Sequence, residues 1–147
     1  KIYKDWQIID EVPHTARLEK HGLDYGYSND PSAIVAIYYS NVGYIIDEVC
    51  YQKGLSNKQL SDVLLNQQHV PVVPDSAEPK SNDELQSYGL TVIPAEKGPD
   101  SVRNGIQLVQ DQRISVTKRS VNVIRAYRNY LWKTDKDGKI LNEPEHH

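Results

Sequence analysis

Asp24 stands in Gly22-Leu23-Asp24-Tyr25-Gly26, an acid inside a stretch that reads as a short strand from Leu23 to Tyr27. A carboxylate buried among apolar and aromatic neighbours has to be paired, protonated or bound to a cation, because an isolated buried charge is too costly. The glycines around it let another backbone or a substrate come close. Asp75 closes the run Val70-Pro71-Val72-Val73-Pro74, which reads as a short buried strand. The C-terminal ends of such strands are where α/β proteins tend to build their sites. If the two strands are neighbours, the two carboxylates converge. Convergent carboxylates suit Mg²⁺ or Mn²⁺, hard cations that prefer oxygen ligands. Two such ions about 3.5–4 Å apart can activate a water and stabilise the leaving oxygen of a phosphodiester. The same residues also admit a plainer reading, in which Asp75 caps a helix beginning at Pro79 and Asp24 is a satisfied core acid. Asp47 and Glu48 are adjacent, so only one of them can face a site. Solvent exposure is the expectation for both, with Glu48 as an auxiliary candidate. Glu78 is a second auxiliary candidate, or the partner of Lys80 in a local surface ion pair.

The elements that must position these acids are legible in outline. Trp6-Gln7-Ile8 through Val12-Pro13 reads as a lead-in strand and turn. Ala33 to Tyr39 is β-branched and aromatic and reads as a central strand. Asn41-Val42-Gly43 is a tight turn, and Tyr44 to Tyr51 is the next strand. Strands this close in sequence imply an antiparallel meander. Ser56 can cap a helix with Leu60, Val63 and Leu64 on its apolar face. Pro79 to Tyr88 reads as a helix closed by Gly89, and Leu90 to Ile93 as another strand. A helix from Asp100 or Ser101, a brief strand from Ile114 to Val116, a helix from Val121 to Trp132 and a turn at Lys136-Asp137-Gly138-Lys139 complete the pattern. A meander followed by alternating helices and strands predicts an α/β fold, a mixed sheet with helices on its faces. This is the order of an RNase H-like fold, in a single domain over residues 1–147.

Composition narrows the class. The chain has 147 residues, 38% hydrophobic and 25% charged, which suits one domain with a core of its own. No apolar run is long enough to span a bilayer, and no secretion signal is visible. The single Cys50 cannot form an internal disulfide, so it reads as a small buried hydrophobe in a reducing, cytoplasmic setting. The net charge of −3 is unevenly spread. Residues 97–139 hold ten Lys and Arg against four Asp, a net +6, whereas residues 1–96 carry −7. An acidic part joined to a basic part suits a site that holds cations and also touches phosphates. A solvated helix face with ordinary surface acids produces the same pattern.

Several segments together resemble the nuclease domain of phage terminase large subunits. Gly22-Leu23-Asp24-Tyr25-Gly26-Tyr27-Ser28 looks like the family's first catalytic motif, and Asp75-Ser76-Ala77-Glu78-Pro79-Lys80-Ser81 like its second. The second is the more specific, being long and oddly composed. Trp6 to Pro13, Ile46 to Tyr51, Lys97 to Val102, and Tyr130-Leu131-Trp132 with Asp137-Gly138 are similar to further stretches. The resemblance implies a metal-dependent endonuclease that cuts double-stranded DNA during viral genome packaging. It implies two Mg²⁺ or Mn²⁺ ions held by Asp24 and Asp75. The terminase small subunit and the portal are the implied partners, and the host cytoplasm is the implied location. Residues 1–20 correspond to the lead-in from an ATPase domain that this sequence lacks. The family's third catalytic aspartate follows a His-containing stretch, and here the sequence reads Asn142-Glu143-Pro144-Glu145-His146-His147, so that aspartate is expected beyond residue 147. His146 and His147 read either as native residues near the metals or as the remnant of a purification tag. Lys97, Arg103, Lys118 and Arg119 are the candidates for phosphate contacts, which position DNA without reading bases. The alternatives are another RNase H-like nuclease, such as a resolvase or transposase, and a non-catalytic DNA-binding or docking module of the same fold.

Overall fold

The run Ser32–Ser40 is rich in β-branched and aromatic residues and forms the central strand of the sheet. The computed structural model describes residues 6–27, 29–41, 43–94 and 113–126. Within them lie β1 (Gln7–Ile9), β2 (Arg17–Asp24), β3 (Ser32–Ser40), β4 (Gly43–Gln52), α1 (Asn57–Leu65), β5 (Val72–Pro74), α2 (Pro79–Ser87) and β6 (Ile114–Thr117). Residues 121–126 are helical as well. The six strands form one sheet in the order β1-β6-β4-β3-β2-β5. Strands β2, β3 and β4 make an antiparallel meander. β5 joins β2, β6 joins β4 and β1 joins β6, all in parallel. The mixed sheet expected from the element order is therefore the one observed.

The β3–β4 turn needs glycine for two reasons. Gly43 has a φ of 119°, a region L side chains avoid. A Cβ there would also lie 2.3 Å from the Arg113 carbonyl oxygen, where the start of β6 comes in beside β4.

Side-chain alternation along the strands separates two cores. On one face, Leu23, Ile34 and Val72 pack with Leu60 and Leu64 of α1 and Leu85 of α2. On the other, Val35, Ile37, Ile46, Ile114 and Val116 pack with Val123 and Ile124. Asp24 alternates with Leu23 and so belongs to the face that carries the 121–126 helix.

Three expectations need correcting. β2 begins at Arg17, six residues before the expected start and inside the stretch read as lead-in, and it ends at Asp24 rather than running through Tyr27. A register shift between Leu18 and Lys20 breaks the period-two pattern that would have revealed its first half. Leu90 to Ile93 is not a strand. It makes a single parallel bridge, Val72 to Val92, because only one residue lies alongside β5. Third, Asp47 is buried rather than solvent-facing. The expected helix from residue 100 or 101, the continuation of the last helix to Trp132 and the turn at 136–139 lie outside the described residues.

Candidate metal centre

β2 and β5 run parallel, with Leu23 opposite Pro74. One residue further along each strand stand Asp24 and Asp75. The ladder continues at this point, since the Asp75 amide donates to the Leu23 carbonyl at 2.8 Å. Residues opposite one another in a parallel ladder share a face, so both acids sit at the C-terminal ends of adjacent strands and on the same side. The Tyr25 amide donates to Asp75 Oδ1 at 3.3 Å, which ties the second acid to the residue that follows the first. Asp75 does not cap the following helix. Glu78 does, accepting from the Ser81 amide at 3.1 Å. The capping alternative thus belongs to Glu78, one of whose carboxylate oxygens takes that role.

The segment after Asp24 is held by close backbone approach. A Cβ on Gly26 would fall 2.3 Å from the Asp30 carbonyl oxygen and from backbone carbon of Pro31. The Gly26 amide donates to Ser32 Oγ at 2.9 Å. The glycine admits the chain's own backbone, which locks the turn leaving β2.

The donor set suits a hard divalent cation: two carboxylates from neighbouring strand ends, at the edge of a core. Among the described residues no group of three or more His, Cys, Asp and Glu converges, so the candidate site within them rests on this pair. His146, His147, Lys97 and Arg103 lie outside the described residues.

Glu48 is not directed at the pair. It lies on β4, with β3 between it and β2. Its carboxylate accepts from the Asn122 and Val123 amides at 2.9 and 3.0 Å and from Asn122 Nδ2 at 2.8 Å. It therefore closes the start of the 121–126 helix. Neighbouring Asp47, expected at the surface, is 6% exposed. Arg119 Nε and Nη2 donate to its two oxygens at 2.9 and 2.5 Å, and Thr117 Oγ1 donates to Oδ1 at 2.6 Å. Burial pushes the Asp47 carboxyl up, but these hydrogen bonds and the Arg119 charge outweigh it and hold the group below its ordinary value. Arg119 is thus engaged with Asp47. Lys118 extends from the surface, 3.6 Å from Asp10.

Asn82 is the residue that sequence reasoning missed. Asparagine is a poor helix former, and here it falls on the buried side of α2, three residues before Leu85. That combination is the available signal, because a buried amide in a helix has to bond elsewhere.

The model of a family described as the terminase RNase H-like domain matches residues 24–146. The chain is 35% identical to the terminase large subunit of Bacillus phage SPP1 over 128 residues, covering 81% of this chain and 30% of that protein. It therefore spans under a third of that relative. Among solved structures, it resembles the nuclease domain of the SPP1 large terminase, solved with bound Mn, at 26% identity and a TM-score of 0.68, over 95% of this chain and 86% of that one. The large terminase of a thermophilic bacteriophage shares the fold, at 19% identity and a TM-score of 0.60, over 82% of this chain and 33% of that one. With the family model covering most of the sequence and the paired acids falling within its span, the chain belongs to the family of terminase RNase H-like domains.

Proposed function

We propose that this chain is a metal-dependent endonuclease that cuts double-stranded DNA during viral genome packaging in the host cytoplasm. The observation that carries the reading is that Asp24 and Asp75 stand at the neighbouring ends of two adjacent parallel strands. Asp24 and Asp75 would hold two divalent cations, Mg²⁺ or Mn²⁺, with a further carboxylate supplied from outside the described residues. Bound there, the cations supply electrostatic stabilisation of the charge that builds on a phosphodiester during hydrolysis. The chain's own part is positional. The strand ladder sets the spacing of the two strand ends, and the Tyr25 amide donates to the Asp75 carboxylate. The RNase H-like family match and the Mn-bound SPP1 neighbour support the metal assignment. Double-stranded DNA is the proposed substrate, and the terminase small subunit and portal are the proposed partners.

Plasmid relaxation and linearisation with Mn²⁺, set against chelator, tests the reading in the parent polypeptide. Asp24→Asn and Asp75→Asn keep the side-chain shape and remove the charge. Each should abolish cutting while the fold stays intact, and full activity in both variants would sink the assignment.

A further inference from the structure

Asn82 bridges the two ends that carry the acids. It is 4% exposed, and both ends of its amide are used. Nδ2 donates to the Ser76 carbonyl at 3.0 Å, and Oδ1 accepts from the Tyr25 hydroxyl at 2.9 Å. The chemistry fixes this orientation. A carbonyl can only accept, so the NH₂ must face Ser76, and the Tyr25 hydroxyl must then donate to the oxygen. Tyr25 directly follows Asp24, and Ser76 directly follows Asp75. α2, which carries Asn82, is itself anchored to α1: Asn57 Nδ2 donates to Ser81 Oγ at 3.2 Å and to Glu84 Oε1 at 3.0 Å.

We infer that Asn82 is a positioning residue for the metal pair. Through Tyr25 and Ser76 it fixes the separation and orientation of Asp24 and Asp75, so cation affinity depends on a residue that touches no cation. The inference rests on Asp24 and Asp75 being the ligands. The β2–β5 ladder sets the strand spacing as far as the bond from the Asp75 amide to the Leu23 carbonyl, and both acids stand at that last rung. Beyond that point Asn82 and the Tyr25 amide tie the two segments together. Two carboxylates free to drift apart must be ordered at the moment a cation binds, which weakens binding.

The test is calorimetric titration of Mn²⁺ into the same parent polypeptide and into four variants of it, each checked for a cooperative thermal transition. Asp75→Asn should lose binding. Tyr25→Phe removes one oxygen and should weaken Mn²⁺ affinity several-fold, and Asn82→Leu should weaken it by roughly tenfold or more. The Tyr25→Phe/Asn82→Leu double variant should bind no worse than Asn82→Leu alone, because both changes cut one link. If Asp75→Asn loses binding while Tyr25→Phe and Asn82→Leu match the parent chain, the inference fails and the ligand assignment stands. Losses that multiply in the double variant also overturn it, since they denote separate routes. If the parent chain takes up no Mn²⁺, or Asp75→Asn binds as well as the parent, the ligand assignment fails and the inference with it. Should Asn82→Leu not fold, Tyr25→Phe decides alone.

Discussion

His21 shows how one residue can set the acid tolerance of the fold. It lies on β2, 1% exposed, and its Nε2 has no hydrogen-bond partner among the described residues. Burial lowers its pKa from the ordinary 6.5, so the folded chain holds a neutral imidazole. The unfolded chain takes up a proton near 6.5, and the folded chain does so only at lower pH. Between those values the unfolded state binds more protons, so stability falls as pH drops below 6.5, by at most about 1.4 kcal/mol per pH unit. Asp47 has the opposite sign of charge and a lower window. Its carboxylate is held below the ordinary 3.8, so its contribution is present above that value and lost only as pH falls further. The two effects are therefore separable. Urea midpoints measured between about pH 7 and pH 5 should slope for the parent chain and flatten for His21→Leu. Parallel profiles would show that the burial of His21 does not govern this window.

At the scale of elements, the junction between β4, β6 and the 121–126 helix is held by a chain of polar contacts. The Glu48 amide donates to Ser120 Oγ at 2.8 Å. Ser120 and Thr117 hydroxyls are 2.6 Å apart, and Thr117 passes a hydrogen bond to Asp47. Since the Thr117 proton goes to Asp47, the Ser120 hydroxyl donates to Thr117, and the series runs in one direction. The Glu48 carboxylate then meets the first amides of the helix, where negative charge is favoured. Glu48→Ala should destabilise the chain by about 1–2 kcal/mol, in the range of a lost cap. It should also speed hydrogen exchange at the Asn122 and Val123 amides. Unchanged exchange there would rule out Glu48 as the closure of this helix.

The same scale shows what is legible in the sequence. α1 is readable because its signals are local. Ser56 accepts from the Gln59 amide, and the Gln59 side chain accepts from the Ser56 amide, a reciprocal cap written in four consecutive residues. β3 and β4 are readable from their apolar character and the glycine turn. β2 is half hidden, because the irregularity at Leu18–Lys20 erases alternation. The acid pair is legible as two candidates, Asp24 set between apolar and aromatic neighbours and Asp75 at the end of an apolar run. What joins them is not, because Tyr25, Asn82 and Ser76 come from three separate stretches and meet only when β5 lies against β2. Asp47 misleads for a related reason: its partners Thr117 and Arg119 are far away in sequence, and without them an acid in a strand reads as surface.

Across the whole molecule, the charges decide how a chain of net −3 could hold DNA. Attraction to phosphate has to come from cations not already neutralised within the fold. Of the four candidates, Lys118 and Arg119 fall among the described residues, and they differ. The Arg119 guanidinium makes a two-oxygen contact with buried Asp47 and is largely balanced by it. Lys118 stands 3.6 Å from Asp10, with both side chains mostly exposed, an arrangement weak in water and screened by salt. On the proposed function, DNA affinity should fall steeply as salt rises, because each phosphate contact releases counterions. Lys118→Ala should make the log–log salt slope shallower by about one unit without altering sequence preference. Arg119→Ala should leave the slope nearly unchanged and instead lower stability by about 1–3 kcal/mol, since it strips a buried carboxylate of its charged partner and leaves it the Thr117 hydroxyl. Filter binding across a salt series, paired with urea unfolding of the same variants, separates these outcomes. A slope that flattens for Arg119→Ala as much as for Lys118→Ala would mean that the guanidinium leaves Asp47 to meet the phosphate. An affinity indifferent to salt in the parent chain would remove phosphate contact from the proposal and favour a protein-docking role for this surface.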